Sequence, residues 1–277
     1  MRFFTVVLLL LITVTHPAAQ EPAPVAVDPL HKPFDEILDL YVRDGLVYYY
    51  ALRQERAKFD RYVAALGAVG ADTVAKWPQP RRLAYWINAY NAFVMRTVID
   101  HYPIRGKAAD YPANSIRQIS GAFERRTFRA AGRMLTLDAI ERDVIAGFDD
   151  PRALLALSRG AVGGSRLKSE AFTADRLDQQ LTTMAGELVT RRELVEVDAI
   201  NNRLSVNPMF SWREDLFART LAHRAPDLYA SRSPLERAVL ALIEPLIVPG
   251  EREFLRKNGF SMVFHEFDWR LNDLTGR

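Results

Sequence analysis

The chain of 277 residues contains no cysteine. That absence removes thiolate nucleophiles, thiolate metal ligands, redox dithiols and disulfides together, so stability must come from the core and any chemistry from other groups. An excess of charge is missing as well: 37 Lys and Arg stand against 34 Asp and Glu, a formal net charge of +3. The one dense basic patch, Arg125, Arg126, Arg129 and Arg133, reads as the solvated rim of a hairpin, and no nucleic-acid partner is expected. Histidines number only five, none at a His-x-x-x-His spacing, so no metal site and no cofactor are expected. Beyond the first 20 residues no stretch approaches the roughly 20 apolar residues that a membrane-spanning helix requires.

The beginning of the chain is patterned differently. Arg2, an apolar run from Phe3 to Val14 and then Pro17-Ala18-Ala19-Gln20 match the charged, apolar and small-residue parts of a secretory signal. The expected organisation is a signal peptide over 1–20, a proline-rich tether over 21–33 and a single domain over 34–277. The mature protein is then exported, periplasmic or secreted, with no membrane span. A lipoprotein anchor is excluded because no cysteine follows the run.

Within the domain, periodicity predicts helices with a few short strands between them. The segment 34–69 reads as two amphipathic helices around a turn at Asp44-Gly45. The strongest helix lies between Pro80 and Pro103, with Leu83, Trp86, Ile87, Tyr90, Phe93, Val94 and Val98 over half its circumference and a narrow wet strip at Arg96 and Asp100. It is expected to be central. Asn88 and Asn91 fall at the edge of its buried sector, where an unpaired amide costs about 1–3 kcal/mol, so they either tie down neighbouring loops or line a pocket. A hairpin is expected around Ala130–Gly132 with a helix starting at Thr136. Further helices are expected after Thr173 as cap, over 212–226 and after Ser233-Pro234, and "SMVFHEFDWRL" alternates like a strand. The predicted fold class is α+β, mostly helical, packed on a small and mainly antiparallel sheet.

The chemistry on offer centres on "LALSRGAVGGSRLKSEAF", residues 154–171. Its glycines invite a serine elbow or a phosphate cradle, yet neither Ser158 nor Ser165 has the flanking glycines of Gly-x-Ser-x-Gly, and no Gly-Lys-Ser or Gly-Lys-Thr ending completes a Walker loop. His265 is the one histidine placed to act as a base, although in a strand it would face away from Asp268.

Taken in order, "YVRDGLVYYYALRQERAKFDRYVAAL", "RLAYWINAYNAFVMRTVIDHYP", "SIRQI", "LTLDAIERDVI", the loop segment from Asp150 to Leu181 and "FDWRLND" resemble the bacterial domain of unknown function 547 family, over roughly residues 34–274. The resemblance implies no assigned reaction; at the level of fold it suggests a distant analogy to papain-like or transglutaminase-like cysteine hydrolases. It also implies departures in this chain: Ser158-Arg159 where relatives commonly have Asn-Cys, Gly163-Gly164-Ser165 where they have Gly-Cys-Pro, and Leu154 where they have His. Three readings follow. The first is a degenerate, non-catalytic cell-envelope domain, a pseudoenzyme that binds an unidentified ligand or protein partner in a cleft near Asn88, Asn91 and residues 158–166. The second is a hydrolase or acyl-transfer enzyme using Ser158 or Ser165 with His265 and Asp268 or Glu266. The third is an anion-binding module built from Arg159, Arg166 and the glycine-loop amides.

Overall fold

A computed structural model describes residues 28–276, so the predicted signal segment and most of the tether lie outside the described residues. Helix α1 (Lys32–Tyr41) leads through a two-strand ribbon, β1 (Val42–Arg43) and β2 (Leu46–Val47), into α2 (Tyr49–Gln54) and α3 (Ala57–Ala68). The turn expected at Asp44-Gly45 is the bend of this ribbon, with both residues at positive φ. Two features differ from expectation. The predicted second helix is split at Glu55–Arg56, and residues 28–33, read as tether, form a turn and the start of α1. His31 is accordingly buried, 2 % exposed, with Nδ1 2.8 Å from the Tyr62 hydroxyl.

After the short α4 (Ala71–Ala75) comes α5 (Gln79–His101), about 34 Å long at 1.5 Å per residue. Pro80 suits its first turn, no glycine interrupts it, and every position from Leu83 to Met95 is buried. A helix buried on all sides must satisfy its polar side chains from neighbours, and those bonds tie the surrounding loops to it. Tyr85 donates to the Leu66 carbonyl at the end of α3 and accepts from the Ala131 amide in the hairpin turn. Asn88 bridges both backbone groups of Phe172, and Asn91 bridges the Ala156 carbonyl and the Ser158 amide. At the wet strip, Arg96 and Asp100 pair across to Asp60 and Arg56 of α3 and its cap.

The expected hairpin forms, with β3 (Thr127–Ala130) antiparallel to β4 (Arg133–Thr136) and Thr127 opposite Thr136. Thr136 caps α6 (Leu137–Ala139), which runs into a π-helical turn, Ile140–Val144. Helix α7 (Arg152–Leu155) delivers the chain to the glycine loop, and α8 (Leu177–Leu188) follows it. Thr173 does not cap α8, which starts after Arg176; its amide instead donates to Gln180.

In the last third, β5 (Val195–Asp198) and β6 (Arg203–Val206) are antiparallel around a turn that includes Asn201 and Asn202. Then come α9 (Met209–Trp212), α10 (Glu214–Leu221) and α11 (Pro234–Ile243), the last closed by a reciprocal capping box between Ser233 and Glu236. Helix α12 (Pro249–Arg256), not foreseen from the sequence, precedes β7 (Ser261–Phe264). Strand β7 pairs parallel to β6, and the alternation expected to continue to Leu271 ends as a strand at Phe264. The fold is α+β, and among the described residues the strands form three separate small sheets, mainly antiparallel, in place of the single sheet expected, because neither the β1–β2 ribbon nor the β3–β4 hairpin pairs with another strand.

Candidate functional site

The glycine loop is held by backbone pairing with the C-terminal segment. The Val162 and Gly163 amides donate to the carbonyls of Arg270 and Asp268, and the Asn272 amide donates to Gly160. Two of its three glycines are required by this path. Gly160 has φ +65°, in the left-handed region, and a Cβ on Gly163 would lie 2.5 Å from the Asp268 nitrogen. Gly164 is different: a Cβ there meets nothing closer than 3.6 Å, so a side chain fits.

Arg159, the bulky cation at the centre of the loop, points inward. Its side chain and that of Glu141 are each 5 % exposed, and its Nη2 donates to Glu141 Oε1 at 2.6 Å. Glu141 comes from the π-helical turn, a rare element that frequently occurs at functional sites. Tyr90 of α5 donates to the other Glu141 oxygen at 3.4 Å, and Arg213 Nε lies 3.2 Å from Oε1 without the alignment of a hydrogen bond. The Arg159 guanidinium also lies 4.8 Å from the centre of the Trp212 ring, a cation–π contact. Burial alone would lower the Arg159 pKa, but Glu141 and Tyr90 more than offset it and hold the group above its ordinary value. Burial, reinforced by Glu141, raises the Tyr90 hydroxyl well above its ordinary value, so it is a neutral donor.

Above this pair opens a cleft of about 140 Å³, lined by Arg117, Phe123, Glu124, Asp138, Trp212 and Arg213 as well as Arg159 and Glu141. Its aromatic wall continues outward. Trp212 stacks near Trp269, Phe267 packs on both, and the Arg117 guanidinium lies 4.6 Å from the ring centres of Phe123 and Trp269. Larger grooves exist, of about 520 Å³ beside Phe93 and Phe128 and about 470 Å³ beside Trp86 and Phe148. The smaller cleft is the better candidate because a buried ion pair, an aromatic stack and three guanidiniums converge there. The groove beside Phe93 and Phe128 has only Arg129 as a charged lining residue, and the one beside Trp86 and Phe148, though lined by Arg82, Arg133 and Asp143, has no ion pair as deeply buried as Arg159–Glu141.

The structure does not bring the remaining candidate residues into one centre. Asn88 and Asn91 spend their amides on loop backbone, which is the tying role and not a pocket lining. The Ser158 hydroxyl makes a 3.5 Å contact with the Gly160 amide. Ser165 Oγ and His265 Nε2 are both buried without a hydrogen-bond partner, so these two atoms do not pair with each other. The His265 amide extends the β6 pairing through Val206, while Asp268 is held by Arg270 at 3.0 Å and, by that contact, below the usual carboxylate range. Arg166 is exposed and reaches Asp44 at 3.0 Å, away from Arg159. The loop amides at 162 and 163 are consumed by the C-terminal segment, and the next helix starts only at Leu177, so no amide cradle forms at a helix N-terminus. Among the described residues no group of three or more His, Asp or Glu is arranged to hold a metal ion.

Glu141, Arg117, Trp212 and Arg213 were not singled out from the sequence, where Glu141 reads as an ordinary acid of an early helical turn. A usable signal was present: aromatic-rich "MFSWR" and "FHEFDWR" each place an arginine directly after a tryptophan. Together these parts define an α+β domain whose long buried helix and glycine loop support a cleft floored by an ion pair. Residues 74–189 match the model of a family described as a protein of unknown function, DUF547, which shows the resemblance for the region from α4 through α8. No curated protein and no solved structure gives a significant match to the chain.

Proposed function

We propose that the chain is an exported, non-catalytic domain that acts by binding a ligand or partner in the cleft above Arg159. The observation that carries this reading is the Arg159–Glu141 pair. At the position where the resemblance places a cysteine, the loop presents a buried guanidinium already neutralised by a carboxylate. Such a group is neither a nucleophile nor a base. The neighbouring serines offer no replacement, since Ser158 has only a weak backbone contact and Ser165 has no partner to activate it. Export is supported by the charged, apolar and small-residue succession of residues 1–20. Among the described residues no helix is long and apolar enough to cross a membrane.

A screen of peptide, amide and ester substrates tests the reading. No saturable turnover above the buffer rate is expected; saturable turnover with any of the three classes overturns it.

A further inference from the structure

The cleft has a surplus of one kind of hydrogen-bonding group. On Arg159, Nη2 is satisfied by Glu141 but the buried Nη1 has no acceptor. On Arg213, Nη2 donates to Asp138 and Nη1 to the Trp212 carbonyl, yet Nε has no hydrogen bond. On Arg117, Nη1 donates to Glu124 and Nε has no acceptor. The carboxylates are engaged in turn: Glu141 by Arg159 and Tyr90, Asp138 by Arg213 and Arg142, and Glu124 through one oxygen by Arg117. Three guanidiniums around one cleft each keep a buried nitrogen without a hydrogen bond, although Arg213 Nε lies 3.2 Å from Glu141 Oε1, and both oxygens of Glu141 and of Asp138 are already taken. Buried donors without acceptors are rare in folded proteins and call for an oxygen from elsewhere.

We infer that the cleft receives a small organic carboxylate, whose oxygens accept from the guanidiniums of Arg117, Arg159 and Arg213. This rests on reading the domain as a non-catalytic binder. Three features select a carboxylate over other oxyanions. The planar fork of arginine matches a planar carboxylate. The three guanidiniums are balanced by Glu124, Asp138 and Glu141, so a second negative charge, as on phosphate, meets repulsion that a single charge largely escapes. Phe123 and Trp212 line the same cleft and offer apolar surface to the ligand's carbon body. A volume of about 140 Å³ admits a small acid or the tip of a peptide and nothing larger. The ligand is either a free acid or a carboxylate carried on a peptide, and Arg117 at the rim is the donor both reach first, its side chain being 29 % exposed.

Titration of the full mature chain, followed on the indole N–H of Trp212 by NMR, tests this with phenylacetate, its neutral isostere phenylacetamide, inorganic phosphate, and a short peptide with a free or amidated C-terminus. Saturable binding of phenylacetate is expected, with phenylacetamide and phosphate each at least about tenfold weaker, and about tenfold weakening by Arg117→Gln, the equivalent of one lost charge-assisted bond. If the free-acid peptide also outbinds its amide, the carboxylate is delivered on a peptide; if only phenylacetate saturates, it is a free acid. The inference is overturned if phenylacetamide or phosphate binds as tightly as phenylacetate, or if no probe saturates. The acid-to-amide contrast uses the wild-type chain, so it stands even where a variant fails to fold. Hydrolysis of a phenylacetate ester with retained phenylacetate binding would sink the non-catalytic reading and leave the carboxylate site intact. Absence of both turnover and carboxylate binding would do the reverse.

Discussion

Arg159 is the residue on which the account turns, because the same side chain fills the loop and neutralises Glu141. A buried pair contributes less net stability than its distance suggests, since both charges lose their hydration, but removing one partner leaves the other stranded. Arg159→Ala is therefore expected to destabilise the fold by about 3–5 kcal/mol in urea unfolding, and Arg159→Met with Glu141→Gln by clearly less than the sum of the two single changes. The exposed Arg219–Asp149 pair at 2.7 Å is the control, with Arg219→Ala expected to cost no more than about 1 kcal/mol. A double variant as damaging as the summed singles would mean that the two groups do not act as a pair. The partners of Asn88 and Asn91 were half legible in the sequence: helical periodicity required them to be satisfied but could not name Phe172, Ala156 and Ser158, contacts 65–84 residues away along the chain.

At the scale of elements, the glycine loop is shaped by the segment beside it. Gly163 lies against the Asp268 backbone and Gly164 has room for a side chain, so two adjacent glycines carry opposite expectations. Gly163→Ala must push apart backbone that is hydrogen-bonded across the contact and is expected to cost about 1–3 kcal/mol. Gly164→Ala is expected to stay within about 0.5 kcal/mol of wild type, both read from urea midpoints. The same pairing explains where sequence patterning stopped working. "SMVFHEFDWRL" alternates throughout, yet only Ser261–Phe264 joins β6, because residues beyond His265 pair with the glycine loop instead. Alternation reports which side chains share a face and not which neighbour supplies the hydrogen bonds. Strand β5 is the converse case: "VEVD" is short and half charged, and its partner β6 makes it a strand.

For the whole molecule, α5 organises the fold, and its place as the central helix was legible because its apolar residues wrap so far around its circumference. The cleft was not, since its walls come from residues 117–159 and 212–213 on separate elements. The N-terminal end of the core adds a pH dependence. Burial of His31, opposed by Asp28 and aided by Arg81, pushes its pKa down from 6.5 to about 4. Between those values the unfolded chain binds the proton more readily than the folded one, so stability rises with pH. The contribution is complete above pH 6.5 and is lost as pH falls towards 4, on the order of 3 kcal/mol in total. Urea midpoints across pH 4–7 are expected to show this slope in wild type and a flatter one in His31→Gln, and equal slopes would remove His31 from the account.

The central claim is that the loop holds an ion pair where a nucleophile would stand. Steady-state hydrolysis of an activated ester, measured for the wild-type chain beside Ser158→Ala, Ser165→Ala and His265→Ala, tests it most directly. The four proteins are expected to share one unsaturable rate, that of a surface without an activated hydroxyl. A saturable wild-type rate that disappears in any one of the three variants would contradict the claim and make that residue part of a catalytic centre.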